Sequence, residues 1–471
     1  MSNKEHVLPA RLKLFWGSGA MGVAMLMNGV SFLILIYLVS VLKLDPALAG
    51  TLIFLSKIID AISDPIVGML SDRSTFKSGR RRPFMFIGAF LAASSFGFLF
   101  AIPEFESQTM TAAYAFGCLV FYTIGYTVFN VPYMAMSAEM TDGYEERTSL
   151  HGYRVAFVSL GSALAVAGAP FVLELLGQSR ESYAIIAVGM SVIIFLSLIA
   201  CWAGTGSART VERVHSHHNF LSQASLLFSN RHFVTLISVK ALQLVGIMST
   251  ASVSFIFFKQ YVGMDLRYFA AASIVSTLTT LIAVPLVKRL AARIGKKMAY
   301  FLSAGLTALV NLSWMLVDPA PPMDEFLPGF FLRMALSGVT IAGNVMLAMS
   351  MLTDTIEYDA RVTGMRREGI YAAMYSFVEK LAAALAPFIV GWALAFAGYD
   401  KSLGADELQS GSALFGIMFG KAYLPAIMIG LSMFVLLFFK LDKETLHSTP
   451  KAAPQQPPPG QAPAQPVAGP T

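Results

Sequence analysis

Long apolar blocks constrain this chain more than any other feature of its sequence. Each block has about the 20 residues that a helix needs to cross the hydrocarbon core of a bilayer. A closed membrane barrel would show shorter segments of alternating hydrophobicity instead. The twelve blocks run approximately over 14–41, 47–70, 83–102, 111–138, 153–177, 183–203, 232–258, 268–287, 298–317, 326–353, 370–397 and 412–439. The pattern predicts an all-α membrane protein with twelve transmembrane helices.

The composition agrees with this interpretation. Hydrophobic residues make up 56% of the chain and charged residues only 13%, against about 45–50% and about 25% in soluble proteins. A soluble domain could not cover that much apolar surface with polar groups. The first apolar block is also too long for the core of a cleavable signal peptide.

The basic residues follow alternate connections between the blocks. Connections on one side carry most of them, including Arg73, Lys77, Arg80, Arg81, Arg82, Lys288, Arg289, Lys296, Lys297, Arg366 and Arg367. The other side carries only Lys43, Arg180, Lys259, Arg267 and Lys401. Because cytoplasmic loops are enriched in Lys and Arg, we expect an inner-membrane protein with both termini in the cytoplasm. The net charge of +6 thus reflects membrane orientation and gives no indication of nucleic-acid binding.

The chain divides into two halves with a recurring motif. We expect an N-terminal six-helix half over 1–203, a central cytoplasmic loop over 204–231, a C-terminal six-helix half over 232–440 and a disordered Pro-rich tail over 441–471. Gly79 lies between basic residues in the connection after the second block, and Gly295 does so after the eighth. Two parallel six-helix halves resemble the major facilitator fold.

The second block contains charges that a membrane helix rarely tolerates. Lys57, Asp60 and Asp64 lie at i, i+3 and i+7, so they share one helical face, with Ser63 beside them. A charge at mid-membrane costs at least roughly 2.5–3.5 kcal/mol. Two carboxylates and a hydroxyl suit Na⁺, Li⁺ or a proton; the alternative is an internal ion pair in which Lys57 neutralises one carboxylate.

Other polar residues lie inside apolar blocks. Thr127 and Asn130 share a face of the fourth block, and Arg154 begins the apolar part of the fifth. Glu379 and Lys380 lie within the eleventh block. Because adjacent residues on a helix diverge, we expect Lys380 to reach the carboxylates of the second block rather than to pair with Glu379. Interhelical hydrogen bonding for Thr127 and Asn130, and snorkelling for Arg154, are the structural alternatives.

Several motifs in order along nearly the whole chain resemble those of the glycoside–pentoside–hexuronide:cation symporters, the melibiose permease-like family. They are Asp60-Ala61-Ile62-Ser63-Asp64-Pro65-Ile66-Val67-Gly68, Arg82-Pro83-Phe84, Val131-Pro132-Tyr133, Glu146-Arg147-Thr148, Tyr153-Arg154, Asp354-Thr355-Ile356-Glu357-Tyr358 and Lys380. The resemblance implies cation binding by Asp60 and Asp64, with Ser63, Thr127 and Asn130 nearby. It also implies substrate contacts by Tyr126 and Arg154, and a coupling network that contains Lys57 and Lys380.

Three positions depart from the melibiose permease pattern. Ala24 and Asn130 replace acidic residues, and Met134 replaces an aromatic residue, at positions implied to contact sugar or cation. The substitutions argue against a galactoside specialist.

We therefore expect a monomeric symporter of a sugar or glycoside-like solute that needs no cofactor beyond its coupling ion, Na⁺ or H⁺. Cation binding would neutralise the carboxylate pair and favour substrate binding. One alternative is transport of a lysolipid or other amphiphile on the same fold. Another is a membrane sensor or scaffold that uses the Pro-rich tail. No pattern of residues indicates an enzyme active site.

Overall fold

The computed structural model describes residues 8–74, 76, 79–140, 144–208, 229–364, 368–403, 407, 409–441 and 443–448. Most of the predicted central loop and the tail from residue 449 onward lie outside the described residues. Within the described ranges, all regular secondary structure is helical. We call residues 8–208 the first half and residues 229–448 the second half.

The helices of the first half are α1 (Ala10–Ile36), α2 (Pro46–Arg73), α3 (Arg82–Phe100), α4 (Gln108–Met140), α5 (Tyr144–Ala163), α6 (Ala169–Leu176) and α7 (Arg180–Gly204). Those of the second half are α8 (Arg231–Ile256), α9 (Leu266–Ile294), α10 (Lys296–Ser313), α11 (Met323–Thr363), α12 (Glu368–Phe396), α13 (Gly411–Met418), α14 (Leu424–Leu436) and α15 (Lys443–Ser448). Single π-helical turns extend α1 (Tyr37–Val41) and α8 (Phe257–Tyr261), and join α5 to α6 (Leu164–Gly168) and α13 to α14 (Phe419–Tyr423).

Eleven helical segments in the described part are long and apolar enough to cross a membrane. They cover every predicted block except the second, which forms the 28-residue helix α2. This helix carries Lys57, Asp60 and Asp64, and it packs against α4 and α12. The chain is thus an all-α, multi-pass membrane protein.

Hydropathy misplaced some helix ends. The tenth block predicts a helix that ends at about residue 353, whereas α11 continues to Thr363 through polar residues that include Asp354 and Arg361. Hydropathy marks the part of a helix that contacts lipid, and the hydrogen-bonded helix continues beyond it. Lys259, expected in an external connection, is instead 6% exposed within the π-helical turn after α8.

The two halves meet tightly at the end of the bundle where α1 joins α2, which we call the closed end. Helix α2 crosses α12 there with almost no space between the backbones: a Cβ atom on Gly50 would lie 2.7 Å from the carbonyl oxygen of Pro387. Lys259 forms a buried ion pair with Glu174 of α6, with 3.3 Å between Nζ and Oε2.

A hydrogen-bond chain also crosses the closed end. Tyr399 of the second half donates to Gln260 Oε1 at 2.5 Å, and its hydroxyl lies 3.1 Å from Ser40 Oγ of the first half. Among the described residues, the hydrogen bonds and ion pairs that join the halves lie either at this end or at Lys380.

Candidate functional site

A cluster of oxygen atoms lies between α2 and α4. The Thr127 hydroxyl lies 3.1 Å from Asp60 Oδ1 and 3.0 Å from Asp64 Oδ1, and Ser63 Oγ donates to Thr127 Oγ1 at 3.3 Å. The cluster forms because Asp60 and Asp64 are one helical turn apart and Thr127 packs against that turn. Since a hydroxyl has one proton, Thr127 donates to one carboxylate at a time. Asp60 is 2% exposed, so its charge requires a partner inside the protein.

The partner comes from the other half of the chain. Lys380 of α12 extends its ammonium group to both carboxylates: Nζ lies 3.2 Å from Asp60 Oδ2 and forms a shorter contact with Asp64 Oδ2. The expected approach of Lys380 to the second block is therefore present in the structure. The ammonium of Lys380 therefore contacts both carboxylates of the cluster.

Lys57 does not take this role. Its Nζ lies over the ring of Tyr122, 5.6 Å from the centroid, and it forms no ion pair with any residue in the described part of the chain. The internal pairing of Lys57 with a carboxylate of its own helix is thus replaced by a cation–π contact, which is worth roughly 0.5–2 kcal/mol. Lys57 still contributes a positive charge beside the carboxylates.

The residues predicted to bind substrate are more dispersed. Tyr126 is half-buried, with its hydroxyl 4.0 Å from Met27 Sδ. Arg154 is half-buried, and its Nε is buried without a hydrogen-bond partner among the described residues. Met134 is half-buried and packs against the core of the bundle.

The other two predicted positions, Asn130 and Ala24, make few polar contacts among the described residues. Asn130 is half-buried one turn after Thr127 and, in the ranges described, makes no hydrogen bond to the oxygen cluster. Ala24 is 4% exposed, and its carbonyl oxygen accepts a hydrogen bond from Asn28 Nδ2 at 3.0 Å. Its small side chain therefore lies inside the bundle.

Two further lysines of the second half, Lys240 and Lys421, are buried. Lys240 of α8 pairs with Glu379 of α12, with 3.5 Å between Nζ and Oε1. Lys421, 3% exposed, donates to Ser254 Oγ at 2.9 Å. Its ammonium also lies over three aromatic rings, with centroid distances of 4.6 Å to Phe258, 4.9 Å to Trp314 and 5.3 Å to Phe257. Both lysines have partners distant in sequence, so a pattern of local spacing could not reveal them.

The donor set of the cluster favours a small hard cation. It offers carboxylate and hydroxyl oxygens, the ligands that such cations prefer. No group of three or more acidic, His or Cys side chains lies together within the described residues. With the charges of Lys57 and Lys380 beside the two carboxylates, a monovalent ion would add less excess positive charge to the cluster than a divalent metal would.

Comparison with known proteins places the chain among transporters. The chain is 28% identical to a putative sulfoquinovose importer of Salmonella typhimurium, over 94% of this chain and 93% of that protein. It is 26% identical to a putative glycoside/cation symporter, YagG, of Escherichia coli, over 91% of each chain. It is also 26% identical to an isoprimeverose transporter of Lactiplantibacillus pentosus, over 88% of this chain and 85% of the relative.

Solved structures give the same fold. A mutant of the nucleoside transporter NupG superimposes with a TM-score of 0.65 at 14% identity, over 90% of this chain and 99% of that structure. The model of the family described as "MFS/sugar transport protein" matches residues 15–443. The expected major facilitator fold, and a transporter rather than an enzyme, are thereby confirmed, and the chain belongs to the MFS/sugar transport protein family.

Proposed function

We propose that this chain is a secondary symporter that couples a monovalent cation to the transport of a sugar or glycoside-like solute. The observation that carries the proposal is the cluster of Asp60, Asp64, Thr127 and Ser63, which Lys380 reaches from the opposite half of the molecule. Named relatives of similar length, a glycoside/cation symporter among them, support the choice of solute and the coupling ion.

The geometry supports coupling by exchange of cations. In the ion-free carrier, Lys380 neutralises the carboxylates and ties α12 to α2. A coupling ion that binds Asp60 and Asp64 displaces the ammonium group, because the carboxylates cannot give full coordination to both cations. The displaced Lys380 is then available to the solute site, where Tyr126 and Arg154 contribute hydrogen-bonding groups.

The same exchange accounts for alternating access. Since Lys380 belongs to the second half and the carboxylates to the first, its release removes a contact that holds the halves in one arrangement. The bundle can then open at its closed end and close at the other. Such rocking of two halves around a central site is general for transporters of this architecture.

We propose that both termini face the cytoplasm and that the protein functions as a monomer in the inner membrane. The distribution of Lys and Arg among the connections supports this orientation, in which the closed end faces outward and the structure is inward-facing. Asp60 and Asp64 accommodate either Na⁺ or a proton, and the carboxylate and hydroxyl oxygens together make Na⁺ the first ion to test, with Li⁺ as its analogue.

Uptake into proteoliposomes tests the proposal. Labelled glycosides, pentoses, hexuronides and lysolipids would each be presented under an inward Na⁺ gradient, an inward proton gradient, or neither. The variants Asp60→Asn and Asp64→Asn would be compared with Glu104→Gln, which changes a carboxylate that is 92% exposed. We expect gradient-driven accumulation of a sugar-class solute in the parent and in Glu104→Gln, and its loss in the other two.

Each alternative has its own signature in that assay. Accumulation of lysolipid but of no glycoside would replace the sugar with an amphiphile. Solute entry that ignores both gradients and both substitutions would contradict coupling. Absence of transport for every solute would favour the sensor or scaffold alternative.

A further inference from the structure

Helix α12 is held on two sides by two adjacent residues. Lys380 contacts the carboxylates of α2 in the first half, while Glu379 contacts Lys240 of α8 in its own half. Successive residues on an α-helix diverge by about 100°, so the two contacts act in different directions. Together they define the rotation of α12 about its axis.

The contact to α8 is built from more than one ion pair. Lys240 is 9% exposed, and its ammonium also lies over the ring of Tyr375, 5.5 Å from the centroid. Tyr375 lies one helical turn before Glu379 and is itself 5% exposed. Lys240 therefore contacts α12 at two levels, and loss of Glu379 would leave a buried ammonium with a ring as its main partner, which is costly.

The Lys240–Glu379 ion pair differs from the Lys380–Asp60 ion pair in its exposure to solvent and in its length. The Glu379 side chain is 43% exposed, whereas that of Asp60 is 3% exposed. The Lys240–Glu379 pair is also longer, at 3.5 Å. It therefore acts as a support at the edge of the site, beside the buried cluster where the ion exchange takes place.

We propose that Lys240 and Glu379 are a positioning pair that keeps Lys380 against Asp60 and Asp64, and that this pair thereby sets the cation concentration at which the carrier is activated. The inference rests on the proposed symport. If α12 is released from α8, Lys380 spends less time at the carboxylates and competes less with the coupling ion. Half-maximal activation then occurs at a lower ion concentration, and solute transport without the ion rises.

The first test measures the half-activating ion concentration of uptake for Glu379→Gln and Lys240→Met. We expect it to fall roughly three- to tenfold in both, with increased ion-independent uptake. The exchange of the two charges, Lys240→Glu with Glu379→Lys, should restore parental values if the pair acts through its attraction. Glu104→Gln, which removes the carboxylate of another long ion pair at 3.9 Å, serves as the matched control and should change nothing.

A second readout does not require transport. Lys380 in the purified, ion-free protein would be modified with an amine-reactive reagent, and its modified fraction would be measured by mass spectrometry over time. We expect Lys380 to react several times faster in Glu379→Gln than in the parent or in Glu104→Gln. Glu379→Asp, which keeps the charge, provides a folded variant with an intermediate rate if Glu379→Gln does not fold.

The results of the two experiments distinguish failure of the positioning role of Lys240 and Glu379 from failure of the proposed symport. Unchanged Lys380 reactivity in Glu379→Gln or Glu379→Asp would overturn the positioning role, as would a rise in the half-activating concentration. If the parent itself shows no ion dependence, the proposed symport fails. In that case the labelling experiment still decides whether Glu379 positions Lys380.

Discussion

The hairpin of α1 and α2 and the hairpin of α8 and α9 have the same backbone design, offset by 220 residues, the separation of Asp45 and Asp265. Each first helix ends in a π-helical turn. In the first hairpin the Leu42 amide donates a hydrogen bond to the Tyr37 carbonyl oxygen at 2.9 Å. In the second, the Val262 amide donates to the Phe257 carbonyl oxygen at 3.0 Å. The side chain of Asp45 or Asp265 then caps the second helix. A proline lies inside each second helix at corresponding positions, 65 and 285.

The side chains of the two hairpins differ where chemistry is expected. At the positions that correspond to Lys57, Asp60 and Asp64, the second hairpin has Thr277, Thr280 and Val284. The Thr280 hydroxyl lies within hydrogen-bond distance of two backbone carbonyl oxygens, one of them that of Gly338 in α11 at 2.9 Å. The backbone scaffold is thus duplicated, while the carboxylate cluster is present in the first hairpin alone of these two. The second half contributes Lys380 to a site whose carboxylates lie in the first.

The largest effect is expected when the two carboxylates of α2 are replaced by the residues at the corresponding positions of α9. The variant Asp60→Thr with Asp64→Val should lose cation-driven accumulation completely. It should also be destabilised by about 3 kcal/mol, because it leaves Lys380 without a carboxylate. Adding Lys380→Met should recover stability in thermal denaturation but not coupling. Thr280→Val at the matching position should leave uptake within about a factor of two, and a larger loss there would contradict a single ion site.

The closed end offers a second contrast. Gly50 of α2 lies against the backbone of α12, whereas its counterpart in α9 is Ala270. Gly50→Ala should push α2 and α12 apart, because its Cβ would lie 2.7 Å from the Pro387 carbonyl oxygen. We expect a loss of uptake of about tenfold and increased labelling of a cysteine introduced at Ser40. Ala270→Gly should have little effect on either measurement.

The turns before Asp45 and Asp265 differ in backbone strain, because a residue with a side chain has positive φ in the first turn and a glycine does in the second. Lys43 has φ of 57° and Gly263 has φ of 72°, a region that costs a side chain roughly 1–2 kcal/mol. Lys43→Gly should therefore raise the free energy of unfolding by about 1 kcal/mol, and Gly263→Ala should lower it by a similar amount. Thermal denaturation in detergent measures both, and equal signs for the two changes would contradict the strain argument.

The smallest effect concerns the cap of α9. The guanidinium of Arg267 donates to Asp265 and lowers the pKa of that carboxyl below its usual range. Because the pKa in the folded protein lies below the unfolded value of about 4, the stabilisation is present above that value and is lost as the pH falls through the folded pKa. Asp265→Ala should cost about 1 kcal/mol at pH 7, and the difference from the parent should shrink at strongly acidic pH.

Much of the fold and the centre of the site could be predicted from sequence. The all-α membrane fold and the approximate placement of most membrane helices follow from apolar length, and the spacing of Asp60 and Asp64 indicates a shared face. The approach of Lys380 to the carboxylates follows from the divergence of adjacent residues on a helix, which disfavours a pairing with Glu379. By contrast, the partners of Lys240 and Lys259 depend on how helices distant in sequence are rotated and packed. Local periodicity carries no information on that rotation.

The position of Lys380 also bears on how membrane voltage acts on the carrier. With Lys57 and Lys380 beside Asp60 and Asp64, the ion-free cluster has a formal charge of zero, so its reorientation moves little charge through the electric field. Binding of a monovalent ion adds one positive charge to the moving unit. A potential of 100 mV then contributes about 2.3 kcal/mol per charge that crosses it. A negative interior would therefore accelerate the loaded inward step and leave the return of the empty carrier almost unaffected.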